Sequence, residues 1–234
     1  MQNPMENEVR AVSTGVIVAL ALFVADVLLV ETGRVEAFDL AVLEWFRSTA
    51  DINDAWGPPW FEEAAGEITA LGSYSVILLF SLIAAGVLAI YRHTLAIVFI
   101  GVAISGGAIV SSVLKLLFER ARPDVVEHMD TTFTYSFPSG HALISAMTYL
   151  TLAAVAIRFI NNTLARRYLL GCAVLLTALV GTSRVYLGVH WPSDVFAGWC
   201  LGGAWAGASW LIAHYLSLRV SKGGMGADLG ESDV

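Results

Sequence analysis

Six predominantly apolar runs divide the chain, at roughly 12–30, 73–91, 94–117, 139–160, 167–187 and 192–216. Each is near the length of about 20 residues that a helix needs to cross a bilayer core. The pattern predicts an all-α fold, a six-span transmembrane helical bundle with short connections. It forms one membrane-embedded domain over 1–220, followed by a disordered cytoplasmic tail over 221–234. The first run lacks a small-residue cleavage site and carries acidic residues, Glu6 and Glu8, on its flank, so it is read as a retained span. The long connection 31–72 is not a span. Phe38, Val42, Trp45 and Phe46 recur at helical spacing, and Pro58-Pro59 opens a second run with Trp60, Phe61, Ala64, Ile68 and Leu71. Two short amphipathic helices in the headgroup layer are expected, as a structural collar rather than a lipid gate.

Composition sharpens this picture. Hydrophobic residues make up 57% of the 234 and charged ones only 14%, with a mean hydropathy of +0.70. A soluble domain carries about a quarter charged residues. The net charge of −7 speaks against a nucleic-acid partner. Cys172 and Cys200 fall inside spans at different depths, which suits packing rather than a disulfide. Six spans put both termini on one side. If that side is the cytoplasm, Arg10, Arg92, Arg158, Arg166, Arg167, Arg219 and Lys222 lie inside. Outside remain Arg34, Arg47 and Arg120, once Lys115, Arg122 and Arg184 are set aside for the site described next. The positive-inside rule favours that orientation. The protein is therefore expected in a bacterial inner (plasma) membrane, its site on the periplasmic or extracellular face.

Three polar clusters interrupt the apolar pattern, and the odd–even order of spans brings all three out on one side. The third span ends KLLFERARPD, where Lys115 and Arg122 share a helical face if the helix persists over their seven-residue spacing. Alone, these cations could simply snorkel to headgroups. The fourth span opens FPSGHALISA. Pro138 suits a first helical position, and Ser139, Gly140 and His141 then fall in a first turn whose free N–H groups suit an anion. Between the fifth and sixth spans lies SRVYLGVHWPSDV, with Arg184, a hydroxyl on Ser183, His190, and Asp194 in the turn that Pro192 begins. That carboxylate can reach back to Nδ1–H of His190 and leave Nε2 free, or form no more than a structural pair. Together the clusters offer three cations, a helix N-terminus, two histidines and an orienting carboxylate: a kit for phosphate.

The chain resembles the type 2 phosphatidic-acid phosphatases, the integral-membrane lipid phosphate phosphatases. Their tripartite signature matches Lys115 with Arg122-Pro123, then Pro138-Ser139-Gly140-His141, then Ser183-Arg184, His190 and Asp194, without a departure. The resemblance spans roughly 30–220. It implies that His190 is a nucleophile forming a phosphohistidine, that Asp194 orients it, and that His141 protonates the leaving oxygen and later activates water. It also implies that Lys115, Arg122, Arg184, Ser139 and Gly140 hold the phosphate oxygens. No Cys/His metal spacing is present, so hydrolysis is expected to need no metal or other cofactor. The expected substrates are lipid phosphate mono- or diphosphate esters, such as phosphatidic acid, phosphatidylglycerol phosphate or undecaprenyl diphosphate. A non-hydrolytic binder or transporter of anionic lipids could use the same cations, but would have no use for both histidines. Soluble vanadium-dependent haloperoxidases share the signature, and the span count argues against them. Asp26, a carboxylate within the first span, is expected to be structural, and His214 interfacial. Gly198, Gly202, Gly203 and Gly207 lie near GxxxG spacing, which could serve a homodimer; packing within the bundle is the expected use.

Overall fold

The computed structural model describes residues 4–126, 128–130 and 134–228, with side chains over 5–216. Every regular element among them is helical: α1 (Pro4–Glu31), α2 (Glu36–Trp45), α3 (Pro59–Ala70), α4 (Tyr74–Ile90), α5 (Thr94–Phe118), α6 (Gly140–Ala156, continued by a 3₁₀ turn Ile157–Phe159), α7 (Thr163–Tyr186) and α8 (Pro192–Asp228). Five are long and apolar enough to cross a bilayer, and α3 and α4, bent by 51° at their junction, pass the same test only as a pair. At about 1.5 Å per residue, the 17 residues of α4 reach about 26 Å, at the lower limit of a crossing.

Helix starts follow the local chemistry. Asn162 caps α7 by accepting from Leu164 N at 2.8 Å and Ala165 N at 3.2 Å, and Ser73 caps α4 by accepting from Val76 N at 3.4 Å. The α6 helix begins at Gly140, with extended Ser139 as its cap, so Pro138 stands outside the helix instead of opening it. At the other end, α8 runs past the expected boundary near 220 to Asp228. Residues 229–234 of the expected tail lie outside the described residues.

The bundle is organised around α6, whose residues are almost all buried and which packs against α4, α5, α7 and α8. Indole N–H groups tie α8 to its neighbours: Trp205 Nε1 donates to Ala103 O on α5 at 2.8 Å, and Trp199 Nε1 to Thr177 O on α7 at 3.0 Å. Three glycines of the α8 stripe are consumed inside the chain, Gly203 being the exception. A Cβ at Gly198 would stand 2.8 Å from Ser139 O, one at Gly202 would collide with Leu143 O, and one at Gly207 would lie 2.6 Å from Val16 on α1. The outward faces are apolar, as a bilayer requires: Leu78, Ile90, Leu95 and Leu116 are all exposed. Both cysteines are free thiols.

The collar helices take a different orientation from a soluble amphipathic helix. On α2, Phe38 and Trp45 face outward while Asp39 and Leu43 are fully buried. Gly202→Leu is expected to push α8 off α6 and destabilise the protein by about 1–3 kcal/mol, the usual cost of overpacking. Gly86→Leu, where a Cβ meets nothing, is expected to be near neutral. Thermal unfolding of both variants in detergent checks the difference.

Candidate active site

The α5 helix does not persist to Arg122. It stops at Phe118, and Glu119 turns the chain in the left-handed region (φ 44°). Lys115 and Arg122 therefore do not share a helical face, yet the turn brings them to the same acceptors. Lys115 Nζ donates to Tyr135 O at 2.6 Å and to Thr134 Oγ1 at 3.4 Å. Arg122 Nε donates to Thr134 O at 2.8 Å, and its Nη2 to Thr134 Oγ1 at 3.4 Å and Tyr135 O at 3.5 Å. Arg184 belongs to the last turn of α7, not to a loop, and is almost wholly buried. Its Nη1 donates to Asp130 Oδ2 at 2.5 Å and Thr69 Oγ1 at 3.1 Å, while its Nε has no partner among the described residues. Ser183 turns its hydroxyl back to Val180 O at 2.7 Å and takes no part.

These cations surround a cavity of about 820 Å³, which is also lined by Gly140, His141, His190, Arg120 and Tyr74. Six of the eight residues singled out in the sequence thus border one space: Lys115, Arg122, Gly140, His141, Arg184 and His190. Gly140 is close to Lys115: a Cβ there would sit 3.5 Å from Lys115 Cε. Ser139 and Asp194 stand behind the wall, both fully buried. Ser139 N donates to Asp194 O at 2.9 Å, joining the start of α6 to the start of α8, and the Ser139 hydroxyl lacks a partner among the described residues.

The tautomer of His190 follows from its neighbours. Arg122 Nη1 lies 3.2 Å from Nε2, and a guanidinium only donates, so Nε2 accepts and the ring proton is on Nδ1. That proton faces Asp194 Oδ2 and Ser136 Oγ, each 3.3 Å away, and Ser136 in turn donates to the same Oδ2 in a short hydrogen bond. Asp194 is further held by Trp191 N–H at 2.9 Å on Oδ2 and by Arg120 Nη1 at 2.6 Å on Oδ1. The His190 imidazole is pushed well below its ordinary value, first by burial and then by Arg122, Arg184, Lys115 and His141. It is neutral at neutral pH. Burial and Arg184 push Arg122 down to about 10, still cationic at neutral pH.

Three participants were not singled out in the sequence. Arg120 sits inside the first cluster but was counted as an ordinary outer charge. Asp39, on an amphipathic outer segment, falls four residues before Leu43 and four after Val35, both buried. That stripe was the available signal. Ser136 gave none.

A family model described as the PAP2 superfamily matches residues 96–218, which hold all three clusters. Phosphatidylglycerophosphatase B of Bacillus subtilis is 35% identical over 148 residues, covering 62% of this chain and 71% of that protein. An undecaprenyl-diphosphatase of Sulfolobus acidocaldarius is 40% identical over 90 residues, 38% of this chain and 35% of that one. The crystal structure of a transmembrane PAP2-type phosphatidylglycerolphosphate phosphatase from Bacillus subtilis matches 86% of this chain and 96% of its own, at 26% identity and a TM-score of 0.74.

The depressed pKa of His190 carries a stability consequence. Unfolded, the imidazole takes a proton near its ordinary 6.5; folded, it resists one, so its stabilising effect is complete above 6.5 and shrinks as pH falls below it. Acidification from pH 7 to 5 is therefore expected to lower the melting temperature of the wild type more than that of His190→Gln. Parallel losses in the two proteins would contradict a buried neutral His190.

Proposed function

We propose that this chain, which belongs to the PAP2 superfamily, is an integral-membrane phosphatase that hydrolyses lipid phosphate mono- or diphosphate esters through a phosphohistidine. The observation that carries the reading is the convergence of Lys115, Arg122, Arg184, His141 and His190 on one cavity, with the lone pair of His190 Nε2 directed at a cation. In the free site Lys115 and Arg122 spend their donors on main-chain carbonyls, which non-bridging phosphate oxygens can replace.

In the proposed reaction His190 Nε2 attacks the terminal phosphorus as its bond to the leaving oxygen breaks, the ester oxygen of a monophosphate or the bridging oxygen of a diphosphate. His141 gives that oxygen its proton. His141 then takes a proton from water, which attacks the phosphohistidine and releases orthophosphate. Asp194 keeps the Nδ1 proton in place. Lys115, Arg122 and Arg184, with Gly140 at the start of α6, hold the equatorial oxygens, while Ser139, expected from the sequence to join them, stands behind the wall and supports the start of α6 through its N–H bond to Asp194 O. Losing one such phosphate contact typically costs about 10²–10³ in rate. These fixed cations supply the charge for which other phosphatases use a metal. The named relatives act on a phosphatidylglycerol phosphate and on an undecaprenyl diphosphate, and both headgroups fall within the proposed substrate class.

We also propose that the site faces the periplasm or exterior of a bacterial inner membrane, with cytoplasmic termini. Arg47 is buried with its Nη2 on Tyr186 O at 2.9 Å, and Arg120 is bonded to two carboxylates. Of the outer basic residues only Arg34 remains a surface charge, which supports this orientation.

Purified protein in detergent with EDTA is expected to release phosphate from phosphatidic acid, phosphatidylglycerol phosphate or undecaprenyl diphosphate. His190→Ala is expected to lose at least about 10³-fold. Activity that requires added Mg²⁺, or an active His190→Ala, would overturn the mechanism. A cysteine at exposed Asp124, in a background without Cys172 and Cys200, is expected to react with an impermeant maleimide from outside intact cells. Labelling only after lysis would reverse the orientation.

A further inference from the structure

We infer that Arg120, gripped from behind by Asp39 of the interfacial helix α2, is a positioning residue that fixes the Asp194 carboxylate against His190. The inference rests on the reading of His190 as nucleophile and Asp194 as its orienter. It assigns to the collar a part in the reaction.

Arg120 borders the cavity as the three proposed phosphate ligands do, but it spends its donors differently. Nη1 donates to Asp194 Oδ1 at 2.6 Å and to Ser193 Oγ at 2.8 Å; Nη2 donates to Asp39 Oδ2 at 2.8 Å. Lys115 and Arg122 bond uncharged carbonyls and a hydroxyl. Arg120 instead bridges two carboxylates with no solvent exposure, and displacing it would leave both as unpaired buried charges. Burial works against the Arg120 charge, yet Asp194 and Asp39 outweigh it and raise its pKa. The indole of Trp191 lies below the guanidinium, 5.7 Å from ring centroid to Cζ. A planar fork can serve two carboxylates at once, which an ammonium cannot do with the same geometry.

Asp39 completes the clamp. Its Oδ1 accepts Ser193 N–H at 2.9 Å and its Oδ2 accepts Ser193 Oγ–H at 2.5 Å. It thus satisfies an N–H in the first turn of α8 from a helix more than 150 residues earlier in the chain. The turn that carries Asp194 is therefore held through Ser193 and Arg120 together. With Oδ1 occupied by Arg120, Oδ2 is left for Ser136, Trp191 N–H and His190. Without the guanidinium, Oδ1 would lose its donor and the carboxylate would be held against Nδ1 through Oδ2 alone.

The test uses full-length protein in detergent, with kcat and KM for short-chain phosphatidic acid and Ki for inorganic phosphate. Arg120→Gln is expected to lower kcat by about 10²-fold while KM and Ki stay within about threefold, the pattern of an interaction made only in the transition state. Arg120→Lys is expected to recover about tenfold of that loss, since it restores the charge on Asp194 without the bridge. Asp39→Asn, nearly isosteric, is expected to lower kcat about tenfold alone and to add little in the Arg120→Gln background, because both act through one group. If Arg120→Gln gives no cooperative melt, the Asp39→Asn result decides: unchanged kcat there overturns the inference. Loss of phosphate affinity in step with kcat in Arg120→Gln would make Arg120 a direct phosphate ligand and overturn it too. Wild-type kcat in Arg120→Gln beside an inactive His190→Ala defeats this inference alone, whereas an active His190→Ala defeats the reading beneath it.

Discussion

A carboxylate with no access to water must find its counter-charge within the protein, and the outer end of this bundle is arranged around that need at Asp194. Burial of the isolated ion would cost several kcal/mol, and the excess is removed only when charge and hydrogen bonds both arrive with good geometry. Here four donors come from three places in the chain: Arg120 beyond α5, Ser136 before α6, and the His190 ring with the Trp191 N–H before α8. Each donor fixes the segment it comes from. The loops that close the site thus derive their positions from one buried anion.

The opposite side of His190 is built from cations that must coexist around one pocket. Their repulsion is relieved by oxygens already present: Tyr135 O and Thr134 O for Lys115 and Arg122, and the Asp130 carboxylate for Arg184. The Asp130 carboxylate is 34% exposed, so water can compete for its pair, whereas the Asp194 carboxylate behind His190 has no exposure. The pocket is therefore soft where a ligand would enter and rigid where the proposed nucleophile is aimed. Two classes of ion pair, distinguished by solvent access, divide those duties.

Much of this was legible from residue pattern, because membrane spans obey a one-dimensional rule. Apolar length set the helices, and the order of crossings forced the three clusters to one face before any packing was known. The PAP2 assignment, which the family match bears out, rested on residues at those borders. What escaped depended on contacts between distant segments. Nothing in FDLAV indicates that Asp39 reaches Ser193, since a charged residue on an interfacial helix reads as solvated until its neighbours are known. Arg120 escaped for a similar reason: beside Arg122 it looked like one more surface charge. The shared helical face for Lys115 and Arg122 failed at Glu119, whose left-handed turn no local propensity announces.

The contact between Arg122 and the ring of His190 has a chemical corollary for a protein immersed in lipid. A nitrogen whose lone pair is already engaged by a cation is quiescent, and the surrounding bilayer presents it with acyl esters in vast excess. Those uncharged groups have nothing with which to draw the guanidinium aside. A terminal phosphate does, because its oxygens compete for the same donors. On the proposed mechanism, then, the arriving anion would itself unmask the reagent that attacks it, and discrimination would begin with charge before any feature of the lipid tail is felt.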